Sequence, residues 1–237
     1  MPKGHIVKAY DAELNQLESM IAEMGGLVET QLANALSALV NAEQDKAKEI
    51  VKFDKRIDEF EAQIDAHATR MLALRQPMAE DLRVIIAALK ISNNLERMGD
   101  YAKNIAKRTV TLTRVTQLSE TSESIRRMGE IVEVMIKDVL DSFVERNKAE
   151  ALEVIDKDHE VDAMYTSVFR EIITYMMEDP RNITPCTHML FIAKNVERIG
   201  DHATNVAEQI HFMLEGEFPD EDRMKDDKTS SLIVDAD

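Results

Sequence analysis

Glu96, Asp100 and Asn104 stand four residues apart, and so do Glu197, Asp201 and Asn205. The first trio lies in NNLERMGDYAKNIAK (93–107), the second in KNVERIGDHATNVAE (194–208). On a helix that spacing puts each trio on one face. Asp54 and Asp58 are likewise four apart, as are Asp158 and Asp162. An Asp-x-x-x-Asp row can therefore face a Glu-x-x-x-Asp row within each half of the chain. Four converging carboxylates repel one another, which raises some of their pKa values unless a cation sits among them. Oxygen-only ligands suit hard cations such as Mg²⁺, Mn²⁺ or iron better than thiolate-seeking ions.

Charged residues four apart are also the ordinary solvent dress of a helix, and Arg97 and Arg198 either orient the neighbouring acids or face a partner. Several features favour more than dress. Between 94 and 106 the copies agree at Asn, Glu, Arg, Gly, Asp, Ala, Asn and Ala, while most other stretches share only apolar character. Glu96 and Asp100 each fall about 100° from the stripe through Ser92, Leu95, Gly99 and Ala102, at the border of a core. Gly99 and Gly200 each cost a helix interior about 1 kcal/mol against alanine, which implies a close approach there. His202 replaces Tyr101 in the second copy and is either a further nitrogen ligand or a surface residue.

The elements that must position these residues are helices. Apolar residues recur at helical spacing almost throughout. The pattern predicts helices over about residues 11–42, 44–74 and 78–111, then over about 120–146, 148–178 and 184–214. A Ser/Thr-rich stretch, TLTRVTQLSETSES, separates the two sets, and Pro77, Pro180 and Pro185 punctuate matching junctions. Met24-Gly25 meets Met128-Gly129, Leu36 meets Leu140 and Ile57-Asp58 meets Val161-Asp162, all 104 residues apart; beyond the proline turn the offset is 101. The fold class is thus all-α: two tandem, duplicated, antiparallel three-helix bundles of six long helices. The bundles occupy residues 10–112 and 118–215, and 216–237 read as an acidic, mobile tail.

Composition narrows the partners. The 237 residues carry 45 acidic against 29 basic side chains, a net charge of −16. Such a surface repels phosphate backbones and anionic lipid, leaving cations or a basic protein patch as complements. No signal peptide is evident, the longest apolar run (84–89) is too short to span a bilayer, and the single Cys186 forms no intrachain disulfide. A soluble cytoplasmic protein is expected. Ferritin-like di-iron bundles need two Glu-x-x-His sets; here there is one, Glu208 to His211, with Lys107 opposite Glu208. Walker loops, Gly-x-Ser-x-Gly elbows and Cys-x-x-Cys pairs are absent from the sequence. A carboxylate-bridged metalloenzyme and a metal-free helical scaffold stand as the competing classes.

Two three-helix halves, each with Glu-Arg-x-Gly-Asp in its third helix (96–100 and 197–201), resemble the PhoU family of phosphate-signalling regulators from about residue 10 to 214. The resemblance implies a cytoplasmic, all-helical, non-enzymatic protein that binds metal at the doubled motif. By position, Glu96, Asp100, Glu197 and Asp201 would be metal-site residues, with Asp58, Asp162, Asp54 and Asp158 as further ligands. The metal would be Mg²⁺, Mn²⁺, iron or Zn²⁺. The implied partners are the ATPase subunit of the phosphate ABC transporter and a sensor histidine kinase. Nucleic acid is not among them, the membrane is reached only through those partners, and a homodimer is compatible with the reading. The implied role is negative regulation of the phosphate-starvation response and of phosphate uptake.

Overall fold

The computed structural model describes residues 3–75, 77–113, 119–219 and 229, with side chains from Tyr10 onward. The chain runs through α1 (Lys3–Val40), α2 (Gln44–Phe53), α3 (Lys55–Arg75), α4 (Ala79–Leu112), α5 (Ser119–Glu145), α6 (Lys148–Glu178), a 3₁₀ turn (Pro180–Asn182) and α7 (Ile183–Glu215). The third to sixth expected helices match α4 to α7 within one or two residues at each end. The first starts earlier than expected, at Lys3, because Gly4 alone is too weak a breaker to stop it. The second is interrupted at Asp54, where the N–H of Ile57 bonds the Asp54 carbonyl three residues back. Asp54 is also where α1 and α4 both grip the chain, and its counterpart Asp158 lies inside the unbroken α6.

Four helices form a closed ring, α1 against α4, α4 against α7, α7 against α5, and α5 against α1. The α2–α3 pair flanks α1 and α4, and α6 flanks α5 and α7. Each trio is one expected bundle. The buried apolar residues nevertheless form one continuous core, from Leu17, Ile21 and Met24 of α1 to Met128, Val132 and Met135 of α5 and Ile192 and Val196 of α7. The duplication persists even in the loops. Ala42 and Arg146, 104 residues apart, both take the left-handed conformation after the first helix of their half (φ 54° each). In each case the next N–H reaches back five residues, Glu43 to Ala38 and Asn147 to Ser142, at 3.0 Å.

The ring closes through paired contacts about an approximate two-fold axis. A Cβ on Gly25 would lie 2.3 Å from Leu140 Cδ2, and a Cβ on Gly129 would lie 2.3 Å from Leu36 Cδ1. Each leucine fills the gap of the other half's glycine, so a side chain at either glycine would have to push that leucine aside. Tyr101 and His202, equivalent positions 101 residues apart, meet ring to ring at 5.6 Å between α4 and α7. Those helices run antiparallel: Arg108 near the end of α4 covers Phe191 near the start of α7 at 4.1 Å, while Lys90 lies over Phe212.

The last described segment is fixed to this frame. Gly216 caps α7 with φ 86°, its N–H bonding Phe212 O at 2.9 Å. Phe218 stacks on Phe212 with centroids 5.0 Å apart. The rest of the expected tail, 220–237, lies outside the described residues apart from Thr229. So do residues 114–118 of the expected Ser/Thr-rich connection, whose later part forms the first turn of α5. There Thr121 and Ser124 both donate to the Glu171 carboxylate of α6 at 2.8 Å.

The reciprocal packing predicts that Gly129→Val, which places methyls inside Leu36, destabilises the fold by about 1–3 kcal/mol in urea unfolding. Leu36→Ala alone costs about 2–5 kcal/mol. The double variant should cost less than the sum of the two, because the smaller residue leaves room for the larger.

Candidate functional site

Each half carries an acidic seam where its second-helix segment crosses its third helix. In the first half Asp54 comes from the α2–α3 break, Asp58 from α3, and Glu96 and Asp100 from α4. Asp54 is 3% exposed, while Glu96 and Asp100 are half-buried at the core border, as their spacing predicted. The four carboxylates are close enough to act on one another. Asp58 is exposed, yet what burial it has, then the charges of Asp54 and Asp100, push its carboxyl above its ordinary value against the pull of the Lys103 ammonium. Burial followed by the charges of Asp100 and Glu61 pushes Glu96 up to about 7, with only Arg97 opposing. The Arg97 guanidinium stands 3.6 Å from Glu96 Oε2 and is itself largely in solvent, so that opposition is weak.

A cation already lies in this seam. The Lys103 ammonium donates to Asp54 Oδ2 at 2.5 Å and also to Asp100 Oδ1. Burial alone would lower the pKa of this lysine, but the hydrogen bonds to Asp100 and Asp54 outweigh it and raise it above the ordinary lysine range. The amide of Gln31, from α1, donates to the other Asp54 oxygen at 3.1 Å. Gly99 is what admits this group: a Cβ there would stand 3.0 Å from Ile57 Cδ1 and 3.2 Å from Gln31 Oε1. The sequence reading missed Lys103, Gln31 and Glu61. Lys103 was legible, three residues beyond Asp100 on the same face; Gln31 was not, because nothing in the pattern of α1 marks it as facing the seam.

The second seam is built at matching positions but differs in burial and chemistry. Asp158, Asp162 and Glu197 are only 3%, 2% and 3% exposed, and Asp201 is half-buried. Glu197 is thus covered where its counterpart Glu96 lies at the core border; α5 and α6 both pack on α7. Lys194 donates to Glu197 Oε1 at 2.8 Å and lies over the Tyr165 ring at 4.8 Å. Glu197 Oε2 has no hydrogen-bond partner, and burial above all raises the Glu197 pKa. A Cβ at Gly200 would meet Val161 and Asp158 only at ordinary contact distances of 3.5 and 3.6 Å. The close approach inferred from both glycines is therefore tight at Gly99 and ordinary at Gly200.

The remaining candidates serve the packing. His202 Nδ1 meets Asn94 Oδ1 at 2.7 Å, and the Asn205 amide donates to the same oxygen at 3.4 Å. His202 thus joins the seam between halves. Arg198 reaches across to the Tyr101 ring at 5.6 Å. Cys186 is fully buried, which raises its thiol pKa and keeps it unreactive. His211, the single ferritin-like histidine, turns its Nδ1 to the Glu217 carbonyl at 2.9 Å, away from any second Glu-x-x-His set. Among the described residues, no three His, Cys, Asp or Glu side chains converge as a ready-made metal cluster. The donor chemistry still fits a hard cation: every acid is a carboxylate oxygen donor, one buried oxygen lacks a partner, and the shared negative charge is only partly neutralised.

The raised Glu96 pKa has a signed consequence. The folded value of about 7 exceeds the ordinary glutamate value of 4.5, so its stabilising contribution is complete below about pH 4.5 and is lost as pH rises through 7. Glu96→Gln should therefore match the parent near pH 4.5 and exceed it at pH 8 by on the order of 1–3 kcal/mol. Urea unfolding with chelator present, compared at the two pH values, measures this.

Comparison with known proteins gives a consistent answer. A family model described as the PhoU domain matches residues 21–109 and 125–210. A phosphate-specific transport system accessory protein PhoU homolog of Rhizobium meliloti is 47% identical over 232 residues, covering 98% of each chain. One from Caulobacter vibrioides is 50% identical over 213 residues, covering 90% of this chain and 93% of that protein. The crystal structure of PhoU from Pseudomonas aeruginosa superposes with a TM-score of 0.85 at 38% identity, over 88% of this chain and all of that one. The phosphate transport system regulatory protein PhoU from Streptococcus pneumoniae gives a TM-score of 0.82 at 31% identity, over 90% and 100%.

Proposed function

The chain belongs to the PhoU family, and from that membership we propose that it is a cytoplasmic negative regulator of phosphate uptake and of the phosphate-starvation response. The relatives' names describe accessory and regulatory proteins of phosphate transport, and the family is not enzymatic. The single observation that carries the reading is the near-full-length match to phosphate transport accessory proteins. Among the described residues no helix is long and apolar enough to cross a membrane.

In this reading the two three-helix units, residues 10–112 and 118–215, are a rigid platform. It links the ATPase subunit of the phosphate ABC transporter to a sensor histidine kinase. A platform shifts the kinase only through different affinities for its two states. The acidic surface, net −16, favours basic faces on those partners. Phosphate itself is sensed by another component, since the seams are lined by carboxylates that would repel it.

The metal part of the reading assigns Glu96, Asp100, Asp58 and Asp54 to one seam and Glu197, Asp201, Asp162 and Asp158 to the other. A hard divalent or iron-type ion on these oxygens would supply charge neutralisation and a cross-brace between the helices that carry them. The chain's own part is to hold the donors at that border. Arg97 meanwhile restrains Glu96 from the solvent side.

Replacing Glu96, Asp100, Glu197 and Asp201 together by Ala should lower bound metal in the purified protein. It should also weaken binding to the isolated transporter ATPase subunit and kinase cytoplasmic domain about tenfold or more, or about 1.4 kcal/mol. In cells with ample phosphate, a starvation-response reporter should then be on. Unchanged affinities and a silent reporter would sink the relay, and substrate turnover by the protein with its metal would sink the non-enzymatic assignment.

A further inference from the structure

Where α4 and α7 lie side by side there is an open cleft of about 360 Å³. Leu89, Lys90 and Asn93 of α4 and Asn205, Glu208 and Gln209 of α7 stand in its walls. Gln209 is only 8% exposed, and among the described residues its Oε1 has no hydrogen-bond partner. A buried amide oxygen left unpaired is a cost to the fold that a donor entering the cleft would remove. The neighbouring amides spend their hydrogens elsewhere. Asn93 donates to Glu61 at 3.4 Å, and Asn205 donates to Asn94 Oδ1 at 3.4 Å. What the cleft has to give is chiefly oxygen acceptors.

The duplication shows what such a place accepts. Counterparts on the third helices are 101 residues apart, so Gln209 matches Arg108 and Lys90 matches Phe191. At the matching position the Arg108 guanidinium lies over the Phe191 ring at 4.1 Å, and its Nη1 stands 3.3 Å from His188 Nδ1. The α4–α7 junction thus holds a guanidinium between a flat apolar surface and an acceptor. At Gln209 the chain carries a shorter, neutral side chain, and the cleft is there instead.

We infer that this cleft receives an arginine side chain from a partner protein, which rests on the docking platform of the proposed function. A guanidinium is planar and carries five donors and no acceptor, the complement of a wall of amide oxygens. Leu89 offers apolar surface to the arginine stem. Glu208 brings negative charge to the cleft, and the chain as a whole carries a net charge of −16, so a cationic guest is favoured over an anionic one. Lys90 opposes the guest from the exposed rim, but its ammonium is drawn over the Phe212 and Phe218 rings, 5.8 and 5.6 Å from their centroids. A lysine from the partner fits less well, since a compact ammonium has no planar fork to share among several oxygens.

Two readouts on the full chain test this. In binding titrations with the isolated transporter ATPase subunit and kinase cytoplasmic domain, Gln209→Arg, which copies Arg108, should weaken the domain that uses the cleft about tenfold or more. Lys90→Glu removes the opposing charge at an exposed position and should tighten the same domain about threefold; it covers the case in which the buried arginine does not fold. In the second readout, the side-chain amide signal of Gln209 is followed by nitrogen–proton NMR as N-acetyl-arginine methylamide is added. It should shift, and should shift far less with the lysine analogue. A domain that binds the parent and both variants alike would overturn the inference while leaving the docking platform intact. If neither domain binds the parent, the platform reading fails, and the NMR titration alone decides the cleft: no shift with the arginine compound, or an equal shift with the lysine one, would overturn it.

Discussion

The inner faces of the third helices are already spent on each other. Because α4 and α7 pack antiparallel, with Tyr101 against His202 at the approximate two-fold axis, their acidic residues are turned toward the flanks. There α2–α3 covers one row and α6 the other. The reciprocal insertion of Leu140 over Gly25 and Leu36 over Gly129 draws α1 and α5 together and closes the ring. Two copies of one sequence pattern can bury a shared core this way without strands or disulfides, each copy offering the cavity its partner fills. The acidic seams follow from that arrangement. They sit where the ring meets its flanking helices.

Charge at such a border is held in check locally. In the first half, Lys103 and Gln31 divide the Asp54 oxygens between them, while burial first and then the charges of Asp100 and Glu61 push Glu96 up to about 7. In the second half the row lies deeper and Lys194 holds one oxygen of Glu197. An acid without a full complement of partners in a covered position is a standing cost to the fold and an affinity for a cation.

Much of the fold was legible in the sequence because each long helix carries its own apolar period. The repeat, the offset of 104 falling to 101 and the proline junctions all lie along single segments, and the ends of α4 to α7 emerged within a residue or two. The break at Asp54 was not legible, since its neighbours read as uninterrupted helix. What marks that residue is a pair of contacts from α1 and α4. Gly99 and Gly200 show the same limit from the other side. They look identical in sequence, but only Gly99 has a side chain, Ile57, pressed against the space a Cβ would need.

The sequence by itself determined the helices, the duplication, the face on which the acids lie and the hard-cation character of their oxygens, because spacing along a helix fixes which side chains share a surface. The tertiary structure alone decided which neighbours meet each acid. Lys103 and Gln31 reach Asp54 across 49 and 23 residues of chain, and Glu197 is sealed by helices packed from two sides. Local period cannot encode such encounters, since they depend on how whole helices are rotated and stacked. The two seams share their acidic residues but differ at Lys103 and Thr204, Glu61 and Tyr165, and Asn93 and Lys194, and helix packing turns those differences into different burial, partners and charge.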